Sequence, residues 1–347
     1  MQPSITPVRS SGRIWRNLAL LLTSVTGTLL LLEVTLRVLG MQDPVTYRTD
    51  AVLGYEPRPN QSAKRLGVPI YINDLGLRDD EDGSTLLRSS TRILVIGNSV
   101  TYGGSRTHQR DLFTEVLERE LRERGRDLKV LNGGVNGYSV SQMMARARTL
   151  TASSQPTSLV LFLLRGDFQR APVVFIREGN FVYPLHRPTS ALLDFLRLAV
   201  NHLNSRYGFL QYLPAGVKRS IEPDPVHVPP YDGARILDIH FAAIQNFLRS
   251  VWEPAGRSPD DITAFFSPTR AELIDGSGNA NRDLIQRFAA LGIRAYDLRS
   301  AYRDSITKSG RPVEDLYFDD VHYLPAGHAL AGRTLAAYLL PTSQLSR

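Results

Sequence analysis

The longest apolar stretch of the chain lies at its beginning. Between residues 15 and 32 it reads WRNLALLLTSVTGTLLLL, with Arg16 and Asn17 the only strongly polar positions, and it continues as EVTLRVLG before polarity resumes at Gln42. As a helix, residues 18–39 would measure roughly 33 Å, enough for a hydrocarbon core of about 30 Å. Arg9, Arg13 and Arg16 lie before or at the start of the run, so the positive-inside rule puts the N-terminus in the cytoplasm. A carboxylate at the bilayer centre costs about 2.5–3.5 kcal/mol, which assigns Glu33 and Arg37 to the exit end. No small-x-small cleavage site follows the run. The pattern therefore predicts an uncleaved signal anchor over residues 1–40, single-pass, with everything after it extracytoplasmic. A buried core helix is the competing reading.

Residues 41–90 are mixed and turn-rich, with Pro44, Pro57, Pro59 and Pro69, and read as a stalk leading into an edge element, with an extended piece at 68–72. From residue 92 short apolar runs alternate with helical spacing. The runs at 92–97 (RILVIG), 129–131, 158–164, 261–266 and 294–298 read as buried strands. Helical periodicity occupies 111–125, 141–150, 234–252, 281–291 and 326–340. Strands alternating with helices predict an α/β, doubly wound, five-stranded parallel sheet over residues 91–341, with its site beyond the carboxyl ends of the strands. The alternation is interrupted over 168–233. Residues 168–231 hold nine of the 27 Phe and Tyr and eight of the 21 prolines, with an amphipathic stretch at 190–204. This insertion is either a cap over the site or a small subdomain that packs for its own sake.

Composition changes the picture in two ways. Cysteine is absent, which excludes disulfide scaffolds, thiolate metal sites and cysteine nucleophiles and agrees with an outward-facing domain. The net charge of +7 suggests an anionic partner, but residues 1–40 carry Arg9, Arg13, Arg16 and Arg37 against Glu33, or +3 of it. The remaining +4 is too diffuse to argue for nucleic acid.

Three segments carry candidate chemistry. Gly97-Asn98-Ser99 follows the first strand in a strand-to-helix turn, which would hold the Ser99 hydroxyl at the sheet's carboxyl end; a plain tight turn is the alternative. The phosphate-binding patterns GxxxxGK[ST] and GxGxxG both fail here. Asn132-Gly133-Gly134-Val135-Asn136-Gly137 follows the second strand, and its glycines would let backbone amides approach a ligand, or only make a flexible loop. Near the C-terminus, Asp319-Asp320-Val321-His322 sets a carboxylate three residues before an imidazole, the spacing of an oriented general base. A metal site on Asp319 or Asp320, His322 and His328 competes but lacks further ligands. No metal and no cofactor are expected.

The order of these segments resembles the SGNH (GDSL-type) hydrolase superfamily over residues 90–341, and more loosely at Gly54-Tyr55 and residues 72–78. The resemblance implies a flavodoxin-like sheet, to which the membrane anchor and the cap-like insertion read above are added. It implies Ser99 as nucleophile and first oxyanion donor, Gly137 as second donor, His322 as base and Asp319 as its partner. Two positions depart from the family. Asn98 replaces the usual Asp before the serine, and Gly166, in Leu164-Arg165-Gly166-Asp167, stands where an oxyanion-binding asparagine is usual. Arg165, Asn98 and Asn136 are the candidates to replace that donor, and Asp167 belongs to the same region. The implied activity is hydrolysis of an ester or acylated glycan through an acyl-enzyme. The alternatives are an O-acyltransferase acting on envelope polysaccharide and a non-catalytic glycan-binding relative.

Overall fold

A computed structural model describes residues 11–173, 183–214, 232–276 and 281–340; the parts of the predicted insertion at 174–182 and 215–231 lie outside the described residues. The apolar run at the start forms α1 (Ser11–Val38). Its side chains face outward, Trp15, Leu22 and Leu31 being 69%, 58% and 69% exposed, so α1 is no core helix. Over Gly12–Val38 it is long and apolar enough, at a mean hydropathy of 1.8, to cross a membrane.

Residues 41–90 do not stand off as a stalk. They form two antiparallel hairpins, β1 (Tyr47–Asp50) with β2 (Gly54–Pro57) and β3 (Gln61–Arg65) with β4 (Val68–Ile72), followed by the short α2 (Gly83–Leu86). Tyr47, Tyr55, Ile70 and Ile72 are buried in the main core, so the hairpins belong to the domain.

The five apolar runs become β5 (Arg92–Gly97), β6 (Lys129–Asn132), β7 (Ser158–Leu163), β8 (Ile262–Phe266) and β9 (Arg294–Asp297). They pair in parallel in the order β6-β5-β7-β8-β9. Numbered within the sheet this is 2-1-3-4-5, the flavodoxin-like doubly wound order. Helices reach each next strand: α3 (Ser99–Tyr102) and α4 (Phe113–Glu123), α5 (Val140–Ser154), α6 (Ala191–Tyr207) and α7 (Ile236–Phe247), then α8 (Arg270–Asp275) and α9 (Arg282–Ala289). α10 (Arg299–Ser309) and α11 (Pro325–Leu339) complete the chain. Alternate strand residues feed two cores. Leu94, Ile96, Leu159 and Leu161 join the hairpin side, whereas Ile93, Val95, Val160 and Phe162 meet α4 and α11. The strand order reverses between β5 and β7, and a doubly wound sheet opens its crevice there.

Candidate active site

Ser99 is the first residue of α3, immediately beyond β5, so a four-residue helix points its N-terminus into the crevice. Asn98 caps that helix, its Oδ1 accepting the Val100 N–H at 2.8 Å. Its Nδ2 donates to both oxygens of Asp167 beyond β7, at 2.7 and 2.8 Å. Both side chains are fully buried, and Asp167 also accepts the Leu164 N–H at 2.8 Å and pairs with Arg170 at 3.2 Å. Burial pushes the Asp167 carboxyl up to about 6, against the opposing pull of Arg170 and these hydrogen bonds. The amide-carboxylate pair thus ties β5 to β7 beneath the serine.

His322 arrives from the loop before α11. Its Nε2 lies 2.8 Å from Ser99 Oγ and its Nδ1 lies 2.7 Å from Asp319 Oδ2. With Nδ1–H donating to the carboxylate, Nε2 is left to accept the serine hydroxyl. Asp319 Oδ1 accepts the N–H groups of Val321 and His322 at 2.9 and 2.8 Å. Burial pushes this carboxyl up, but the His322 ring and the two N–H groups outweigh it and hold it at about 2. Three residues from distant parts of the chain therefore form one hydrogen-bonded series. Among the described residues, the N–H groups of Ser99 and Gly137 have no acceptor within the protein.

The series opens on a cleft of about 490 Å³ whose lining includes Ser99, Gly137, His322, Arg106, Tyr183 and Leu198. Gly137 adopts φ +72°, and a Cβ there would collide with the Tyr183 hydroxyl and lie 2.9 Å from that of Tyr55. Tyr55 donates to the Asn136 carbonyl at 2.6 Å, and its ring sits 4.5 Å from that of Tyr183. Tyr55 of the hairpin and Tyr183 of the insertion thus buttress the Gly137 turn. Gly134 serves packing instead, because a side chain there would strike the Tyr102 backbone.

The candidates for a replacement oxyanion donor are occupied elsewhere. Arg165 makes a two-pronged pair with Asp283 at 2.8 and 3.1 Å, outside the cleft. Asn98 is sealed beneath α3, and the Asn136 amide donates to the Tyr47 hydroxyl at 3.2 Å. A side chain on Gly166 would meet open space. The metal alternative loses its parts in the same way. Asp320 accepts the Ala271 N–H at 2.9 Å, and buried His328 accepts the Phe113 N–H at 3.3 Å. Burial, helped by Arg78 and His322, pushes His328 down to about 3, so it stays neutral. Among the described residues no cluster of three or more His, Asp or Glu is placed to hold a metal ion.

One residue important to the site carries no motif. Buried Arg78 donates to the carbonyls of Tyr102, Gly104 and Thr107, fixing the loop that follows the serine helix and lines the cleft. A charged residue in a polar stretch gives no sequence signal of burial; the one clue is its place in the segment 72–78.

No family model and no curated protein matches this chain. Solved structures do. One is an acetyl xylan esterase, at 14% identity over 72% of this chain and 100% of the other, TM-score 0.41. Another is described as a putative lipolytic protein of the G-D-S-L family from Desulfitobacterium hafniense DCB-2, at 13% identity over 72% and 100%, TM-score 0.38. A third is a two-domain esterase active on acetylated mannans, at 12% identity and TM-score 0.41, where 72% of this chain spans 48% of the other. The sheet order and the distances within the site stand independently of these likenesses.

Proposed function

We propose that the protein is a membrane-anchored, extracytoplasmic serine ester hydrolase. The observation that carries this is the series Ser99–His322–Asp319, joined at 2.8 and 2.7 Å at the mouth of the cleft. In the proposed reaction Ser99 Oγ attacks the ester carbonyl carbon while its proton passes to His322 Nε2. The imidazolium is stabilised through Nδ1–H by Asp319, and the oxyanion takes the N–H groups of Ser99 and Gly137. Collapse breaks the carbon–oxygen bond, and Nε2 returns the proton to the departing alcohol. Water, deprotonated by the same nitrogen, then attacks the acyl carbon, and Nε2 passes the proton to Ser99 Oγ as the carbon–Oγ bond breaks and the free acid leaves. The His322 side chain is 38% exposed, which gives water access to Nε2 for this second step. The exposed α1 supports the anchor, and the basic residues at its N-terminal end, Arg9, Arg13 and Arg16, support the outward orientation.

A fluorophosphonate probe tests this reading. Wild-type protein is expected to label stoichiometrically and Ser99→Ala not at all, with mass spectrometry placing the adduct on Ser99. An unlabelled wild type, or equal labelling of both, would overturn it.

Gly137→Ala tests the second oxyanion donor. A left-handed backbone with a Cβ costs about 1–2 kcal/mol, and here the methyl also meets the Tyr183 hydroxyl. The turn must shift, so kcat for a soluble ester is expected to fall at least about 10-fold with KM little changed. An unchanged kcat would remove Gly137 from the mechanism.

A further inference from the structure

α6 carries two stripes of side chains with different surroundings. Ala191, Asp194 and Leu198, at helical spacing, face inward; the first two are buried and Leu198 lines the cleft with Ser99. Leu193, Leu196, Leu203 and Tyr207 follow the same spacing outward and are 55%, 47%, 46% and 65% exposed. A row of large apolar side chains left open along one helix face needs an apolar partner.

The surroundings of α6 say which partner. The Glu33 carboxylate on α1 accepts the Ser190 hydroxyl at 2.9 Å and the N–H groups of Ala191 and Leu192 at 3.0 and 2.8 Å, capping α6 at its N-terminus. Leu36 and Met41 pack with Ala191, Leu192 and Leu198 in one small cluster. The acidic residue in the apolar run thus clamps α6 to the exit end of α1. If residues 15–32, roughly 27 Å of helix, fill the hydrocarbon, Glu33 and the first turn of α6 sit at headgroup level. The charges agree. The one acid of α6, Asp194, is buried in an ion pair with Arg65, and its other charged residues, Arg197 and Arg206, are basic.

We propose that α6 lies on the surface of the bilayer that α1 crosses, its outer stripe in the headgroup–acyl boundary, with anionic lipid drawn to its basic residues. The inner stripe then holds the cleft wall about one helix diameter, ~10 Å, above the lipid. This rests on the reading of α1 as an anchor.

The absence of cysteine makes the test direct. Single cysteines replace Leu196 and Leu203 on α6, Leu22 on α1, and exposed Lys308 in the last turn of α10. The full chain carries a nitroxide at each in turn, in vesicles of phosphatidylcholine and phosphatidylglycerol. Collision with oxygen and with a water-soluble nickel chelate is read by electron paramagnetic resonance. Labels at Leu196 and Leu203 are expected to prefer oxygen over nickel several-fold, as at Leu22, and the Lys308 label to show the reverse. Aqueous α6 labels beside a bilayer-embedded Leu22 label would overturn the proposal and leave the anchor standing. Exclusion of both reagents at α6 would mean that protein covers the stripe and would also overturn it. A Leu22 label that reads as aqueous would overturn the anchor itself, and the proposal with it.

Discussion

His322→Ala is expected to lower kcat for hydrolysis of a soluble aryl ester by about 10⁵–10⁶-fold, with KM nearly unchanged. Among the described residues the imidazole is the one base within reach of Ser99 Oγ, at 2.8 Å, and each half of the reaction passes a proton through Nε2. Removing it leaves the substrate-binding surface of the cleft in place, so the loss falls on the transition state. Asp319→Asn is expected to cost on the order of 10⁴-fold, because an amide facing Nδ1 favours the tautomer with its proton on Nε2, where it cannot accept from the serine. Asp319 itself titrates at about 2, so no inflection of kcat/KM near neutral pH should come from it. Steady-state kinetics with active-site titration of each variant checks both values. A loss below about 10-fold in His322→Ala would sink the mechanism.

How far the sequence could go is visible in the same residues. Ser99 and the Asp319–His322 pair were legible because each sits at a fixed offset from an apolar strand or a helix start, Gly137 only through the resemblance, and the fold class follows once those strands are recognised. The strands β5 to β8 are buried on both faces, so in β5 Leu94 and Ile96 serve one core while Ile93 and Val95 serve the other, and the run appears as continuous apolar residues. The extended piece at 68–72 is β4, but its partner β3 was missed because it alternates exposed and buried positions with a charged residue, Arg65, on its inner side. α10 was missed because only Arg299 and Tyr302 of its residues are buried, which leaves almost no apolar period. Pairings remote in sequence lay beyond it altogether. Nothing local tells that Arg165 belongs to Asp283, that Glu33 caps a helix more than 150 residues away, or that Asn98 faces Asp167.

That last pairing makes the family-like sequence the harmful one here. Asn98→Asp restores Gly-Asp-Ser but sets two carboxylates at hydrogen-bond distance, both fully buried, one of them already pushed up to about 6. Like charges this close share one proton, so the pair titrates with an apparent pKa above the unfolded value of a carboxylate. A raised pKa means that the folded state binds the extra proton more tightly. The pair is then best tolerated at acidic pH, and stability is lost as pH rises through the shared value. At neutral pH an uncompensated buried charge costs about 3–5 kcal/mol. For a domain of this size that lowers Tm by roughly 6–10 °C. Calorimetry of variant and wild type at neutral and acidic pH is expected to show a gap that narrows on acidification; the difference cancels the opposite trend of neutral His240 and His328, common to both. The double variant Asn98→Asp/Asp167→Asn exchanges amide and carboxylate, keeps one charge and the Val100 cap, and should recover most of the loss. A gap independent of pH, or a double variant worse than the single, would mean that shape rather than charge governs this contact beneath the serine.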